Sequence, residues 1–150
     1  MIIDYTPEGG ETLRLDAGRL RASEIQVIER TADRRWAEIQ EAMSEGDINA
    51  LRTVAWVIRK RSEPSLRFGD FDPFEDELRA LLDARETRAY AEKIFARWGD
   101  SPEDLPLAWD ELRESTADPE ACEAAIADVT APKDPAPAQV SESSASPSDG

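Results

Sequence analysis

Apolar and polar positions alternate at the start of the chain and then change period. Ile3 and Tyr5 fall on one face of a strand, Leu13 and Leu15 do the same, and Pro7, Glu8, Gly9 and Gly10 between them are turn residues. This pattern predicts a β-hairpin over residues 1–15. A lone hairpin is marginal in water, so it must pair with or pack on something. From Ser23 the spacing becomes helical. Ser23 with Gln26 reads as a capping box for a short helix through Ile25 and Ile28. A second helix is predicted over 32–44, with Trp36, Ile39 and Met43 on one stripe and Gly46 ending it. Asp47 then caps a third helix, 48–62. Asp72 and Pro73 open a fourth, which continues to Trp98 and stops at Gly99. Its stripe drifts: Phe74, Leu78, Leu81 and Leu82 define one face, while Ile94, Phe95 and Trp98 project from a face rotated by roughly 100–180°. Either the helix breaks near Asp83–Glu86 or its second half meets a different neighbour. Two further helices, 103–115 and 119–129, open at Ser101–Pro102 and Asp118–Pro119. They offer few large apolar residues and are expected to be loosely attached.

The expected fold class is therefore mainly α: a small helical domain with a short N-terminal β-hairpin and a disordered C-terminal tail. Its divisions are 1–98 for the helical domain, 99–130 for an acidic, loosely attached extension, and 131–150 for the tail. That tail is Pro, Ala and Ser around a single Val140, with too little apolar surface to offset the entropy of ordering.

Charge sharpens this picture. The chain has 33 acidic and 18 basic residues among 150, a formal net charge of −15. Residues 99–130 hold ten acids against Arg113 alone. A chain this acidic is repelled by nucleic-acid phosphates and anionic membranes, so neither is an expected partner. No segment is long and apolar enough to span a bilayer. Histidine is absent, which excludes a Ser-His-Asp triad, a His-activated cysteine and a His-bearing metal site. The lone Cys122 permits no internal disulfide. The acidic run from Asp70 to Asp76 fails as an EF-hand loop, because the sixth and twelfth places hold Glu75 and Leu81. No catalytic residue, cofactor or metal is expected, and the chain reads as a non-enzyme.

The third helix carries the most information. Ile48, Leu51, Val54, Ala55 and Ile58 fill one arc of the wheel, and Trp56 and Val57 lie outside it. A helix apolar beyond one stripe is covered on more than one side. Two readings stay open: a central core helix covered by the hairpin, or a helix that presents Trp56 and Val57 to another molecule. Arg59, Lys60 and Arg61, with Arg52 and Arg67, form the one basic patch. It suits an acidic peptide, the chain's own acidic segment, or the negative end of a helix dipole.

Residues 20–78 carry a recognisable order of motifs. Ser23–Glu24 leads to Ile28–Thr31, then Trp36, Ala37 and Glu38, then Gly46–Asp47. Ala55, Trp56 and Val57 follow with Arg59 and Arg61, and the run Pro64–Asp72 completes the series. In this the chain resembles the tail assembly chaperones of long-tailed phages that infect actinobacteria. The resemblance implies a protein that binds the tape measure protein, a long helix-rich apolar chain, in the host cytoplasm. It keeps that chain soluble until tube subunits polymerise around it, and is absent from the mature virion. Such proteins are commonly made in two lengths through a frameshift, so a longer frameshifted form of the same chain is an expected partner beside self-association. Several copies per client are expected, because one small chain covers only a short length of it. Client contact is expected at Trp36, Trp56, Val57, Arg59 and Arg61. The alternative role is a small tail-completion or connector protein of the virion.

Overall fold

Strand pairing decides the layout. In the computed structural model, which describes residues 1–133, β1 (Ile2–Tyr5) and β2 (Leu13–Asp16) form the expected antiparallel hairpin. Ile3 faces Leu15 and Tyr5 faces Leu13. A third strand, β3 (Leu78–Leu81), pairs antiparallel with the other edge of β1, giving the order β2-β1-β3. The hairpin thereby gains the partner that two strands alone need.

β3 corrects the expected helix from Asp72. Leu78 and Leu81 lie three apart and so suit a helical face, but in the strand they point to opposite sides of the sheet. The open edge of β1 decides between the two, because pairing context overrides local preference for so short a segment. After β3 the chain turns at Asp83, whose carboxylate accepts from the Glu86 N–H at 2.8 Å and caps α4 (Ala84–Trp98). The drifting stripe is thus a true break, one of the two outcomes the pattern allowed.

One helix, the third, covers a face of the sheet, and the first and second pack on that helix. α1 (Ala22–Ala32) starts where Glu24 reaches back to the Arg21 N–H at 2.7 Å, so Glu24 rather than the Ser23–Gln26 pair completes the cap. Asp33 ends it in the left-handed region at φ 51°, which moves the start of α2 (Trp36–Ser44) four residues beyond the expected position. α3 (Ile48–Arg59) begins as expected: Asp47 accepts from the Asn49 and Ala50 amides at 2.9 and 3.1 Å. Those bonds, the one to Ala50 foremost, hold the Asp47 carboxyl below its ordinary range. α3 is central. Ala50, Leu51, Val54, Ala55, Trp56, Val57 and Ile58 are all buried, packed with Ile3, Tyr5, Leu15, Ile28, Ile39 and Met43.

The C-terminal helices form a second core. Ala91 of α4, Trp109 and Leu112 of α5 (Asp104–Ser115), and Cys122 and Ala125 of α6 (Pro119–Thr130) are buried together. This corrects the view of 99–130 as loosely attached, and it places α4 with α5 and α6 rather than with the N-terminal core. Small side chains do the packing: Ala91 and Cys122 are fully enclosed, which lets the helices approach closely.

Polar links join the two cores through the sheet. Leu82 exchanges backbone hydrogen bonds with Ser115 and Ala117, at 2.8 and 2.9 Å, as an isolated parallel bridge to Thr116. Arg14 donates to the Ala117 carbonyl at 2.6 Å and Arg79 to that of Glu114 at 2.8 Å. The hydroxyls of Thr87 and Thr116 meet at 2.9 Å in a buried pair. Among the described residues no helix is long and apolar enough to cross a membrane. The expected disordered tail lies, from residue 134 onward, outside the described residues.

Candidate partner-binding groove

The five residues expected to touch a client hold the fold instead. Trp56 is 7% exposed and Val57 5%. The Trp56 indole N–H donates to the Leu66 carbonyl at 3.0 Å, and its ring meets Phe68 edge-on at 5.2 Å between centroids. The extra apolar flank of α3 is therefore covered by the chain itself: the loop through Leu66, Phe68 and Phe71 on one side, the sheet on another. Of the two readings of α3, the core helix is the one realised. Trp36, at the first turn of α2, is partly buried against the same core, with its amide donating to Glu29 at 2.8 Å.

The basic patch is consumed in the same way. Arg59 binds Glu63 at 2.6 Å and lies over the Tyr5 and Phe71 rings. Arg61 donates to both oxygens of Glu24 at 2.7 Å and to the Arg19 carbonyl at 2.8 Å, tying the end of α3 to the start of α1. That hydrogen bond holds the Glu24 carboxyl below its ordinary range despite its burial. Arg52 donates to the Phe71 and Phe68 carbonyls at 2.7 and 3.0 Å and stacks on Phe68. These cations brace the 60–72 loop, so the structure does not gather Trp36, Trp56, Val57, Arg59 and Arg61 into a free surface.

An apolar recess does exist elsewhere. A groove of about 430 Å³ runs between β3, α4 and α5, lined by Leu82, Tyr90, Ile94, Trp98, Ala108 and Leu112. A shallower recess of about 790 Å³ lies on the other side of β3, lined by Met43, Ile48, Leu51, Phe74 and Leu78 among others. The two share Ser44 and Ala80, so they meet over β3. Phe74 is 67% exposed and Tyr90 48%, placing large aromatic rings at the rim of each recess.

Local sequence explains the groove. Tyr90, Ile94 and Trp98 repeat every four residues on α4, a stripe that starts about 100° round the helix from Ala91 at Tyr90 and drifts toward it by Trp98. Ile94 packs against the second core, and on its open side the stripe faces Leu82, Ala108 and Leu112 across the groove. The one signal for it in the sequence was the rotated face of Ile94 and Trp98. Carboxylates border both recesses: Glu45, Glu75 and Asp76 on one side, Glu86 and Glu111 on the other. At the groove's floor the Met1 ammonium contacts Asp83 at 2.6 Å and Glu86 at 2.8 Å. Burial works against both charges of the Met1–Asp83 pair, yet their contact keeps the ammonium above and the Asp83 carboxyl below its usual value. Cys122 is buried at the α4–α6 seam, and burial pushes its thiol up, away from the reactive thiolate form. Comparison with family models, curated proteins and solved structures gives no match to this chain.

Proposed function

We propose that the protein is a tail assembly chaperone of a long-tailed phage, escorting the tape measure protein in the host cytoplasm and leaving before the virion is complete. The observation that carries this reading is the groove of Leu82, Tyr90, Ile94, Trp98 and Leu112, an apolar trough set in an acidic rim. A holdase needs both features: apolar surface to cover a client's exposed stripes, and surplus like charge to keep the loaded complex dispersed. The identity of the client rests on the motif order in residues 20–78. In the fold those motifs build the core and its braces, so they support the reading as a likeness of scaffold and not as contact residues.

The test is co-expression with a tape measure protein fragment and co-purification. Ile94→Glu places a charge in the groove at a partly exposed position and is expected to abolish recovery of the client while leaving the circular dichroism spectrum unchanged. Undiminished recovery would remove the groove from the mechanism. Mass spectrometry of finished particles separates the escort from a virion component: a stoichiometric amount in the particle would overturn the proposal.

A further inference from the structure

The two recesses flank something more specific than apolar surface, the outer edge of β3. Antiparallel strands bond to a neighbour at alternate residues. Thr6 donates to the Glu77 carbonyl at 2.8 Å, which sets the phase: Glu77, Arg79 and Leu81 face β1, and Leu78, Ala80 and Leu82 direct their backbone groups outward. Leu82 confirms the phase, since both its outward groups bond to the Ser115–Ala117 segment. The Leu78 N–H is taken by the Glu75 carbonyl. The Leu78 C=O and both backbone groups of Ala80 have no partner among the described residues. Ala80 lines both recesses, so this unpaired stretch lies between two adjoining depressions that together form a channel.

We infer that this channel takes an extended, apolar-and-basic peptide segment by strand addition to β3, extending the sheet to four strands beside the existing Leu82–Thr116 bridge. An added strand satisfies the outward groups of Leu78 and Ala80 and sends alternate side chains into the apolar recesses. The occupant's charge follows from the rim. Glu45, Glu75, Asp76, Glu86 and Glu111 border the channel against two cations, the Met1 ammonium, which is held by Asp83 and Glu86, and Arg79, whose guanidinium donates to the Glu114 carbonyl, so the excess is acidic. Another copy of this chain, at −15, is repelled. An apolar strand flanked by lysine or arginine is attracted. The inference deepens the escort reading and rests on it for the source of the segment, a stretch of client held extended before it joins its helical assembly.

Amide exchange of the ¹⁵N-labelled protein tests it, with a short peptide alternating valine and lysine as the probe and one alternating valine and glutamate as the control. The lysine peptide is expected to bind at least about tenfold tighter, roughly 1.4 kcal/mol, and to slow exchange of the Ala80 amide. Binding without protection of Ala80, or equal affinity for the two peptides, overturns the inference. Ala80→Pro removes the outward N–H while sparing the ladder to β1, since proline is tolerated on the open side of an edge strand. It is expected to abolish lysine-peptide binding with normal circular dichroism. If A80P does not fold, the Ala80 exchange measurement on the unaltered chain decides alone. If A80P still recovers the client at the level of the unaltered chain, strand addition falls and the escort reading survives. If the unaltered chain ignores the client yet the lysine peptide protects Ala80, the escort reading falls and strand addition survives.

Discussion

The two cores of this protein are built from different materials. The N-terminal one uses large side chains. Ile3, Ile28, Ile39, Met43 and Val54 are fully enclosed around α3, and Trp56 and Phe71 close the far side. The C-terminal one uses small ones, with Ala91, Cys122 and Ala125 in a helix seam and, among the described residues, Trp109 and Leu112 as its large buried members. Both bury their centres equally well. The first draws its stability from apolar area removed from water, the second from close approach of helices, where each atom gains contacts on both sides. Removing volume is therefore costly in one, and adding volume in the other.

The contrast can be broken directly. Trp56→Ala opens a large cavity beside α3 and frees Leu66 from its indole, and is expected to cost about 3–5 kcal/mol in a urea melt. Retention of full stability would mean that Trp56 is not a core residue. Ala91→Leu inserts three carbons into the α4–α6 seam and should cost about 1–3 kcal/mol, whereas a leucine at a surface alanine such as Ala96 should be near neutral. Thermal melts of the two variants check this, and equal melting temperatures would refute close packing at the seam. Thr87→Val leaves Thr116 without its hydroxyl partner at the junction of the cores and is expected to cost roughly 0.5–1.5 kcal/mol.

The smallest effect is a pH dependence. The Glu24 carboxyl, held low by Arg61, contributes stability above its unfolded value of 4.5 and loses it as pH falls through the lower folded value. Glu24→Gln should thus cost about 0.2–1 kcal/mol near neutral pH and nothing once the carboxyl is protonated in both states. Stability measured from pH 7 down to pH 3 checks it: the difference between the two chains must shrink toward the acid end. A constant offset would show that the Arg61 contact acts by shape rather than by charge.

Much of the first core was legible because its signals are local. Asp47 announces α3 one residue before it starts, and the hairpin follows from alternation and turn residues. β3 was not legible because four residues are too few for either period to assert itself, and its strand character comes from an open edge of β1 far away in the chain. The seam of α4 and α6 was missed for another reason. Alanine contributes little to any hydrophobic stripe, so Ala91 and Ala125 register as neutral positions although they are buried. The contact residues were misassigned on the same logic in reverse. A tryptophan and two arginines on one helix look like a recognition surface when the loop that will occupy them, Pro64 to Phe71, cannot be placed from sequence. The groove left only a trace, the rotation of Ile94 and Trp98.

The middle position of β1 also sets an order of events during synthesis. The hairpin leaves the ribosome early, but the strand that closes its inner side is Leu78–Leu81, translated only after α1, α2 and α3. Until then β1 is exposed on one flank, and its pairing with β3 joins distant parts of the chain, which slows its formation. A nascent chain stalled before Leu78 would carry α1, α2, α3 and the hairpin without its third strand, and the open flank of β1 would be the point at which neighbouring unfinished chains adhere.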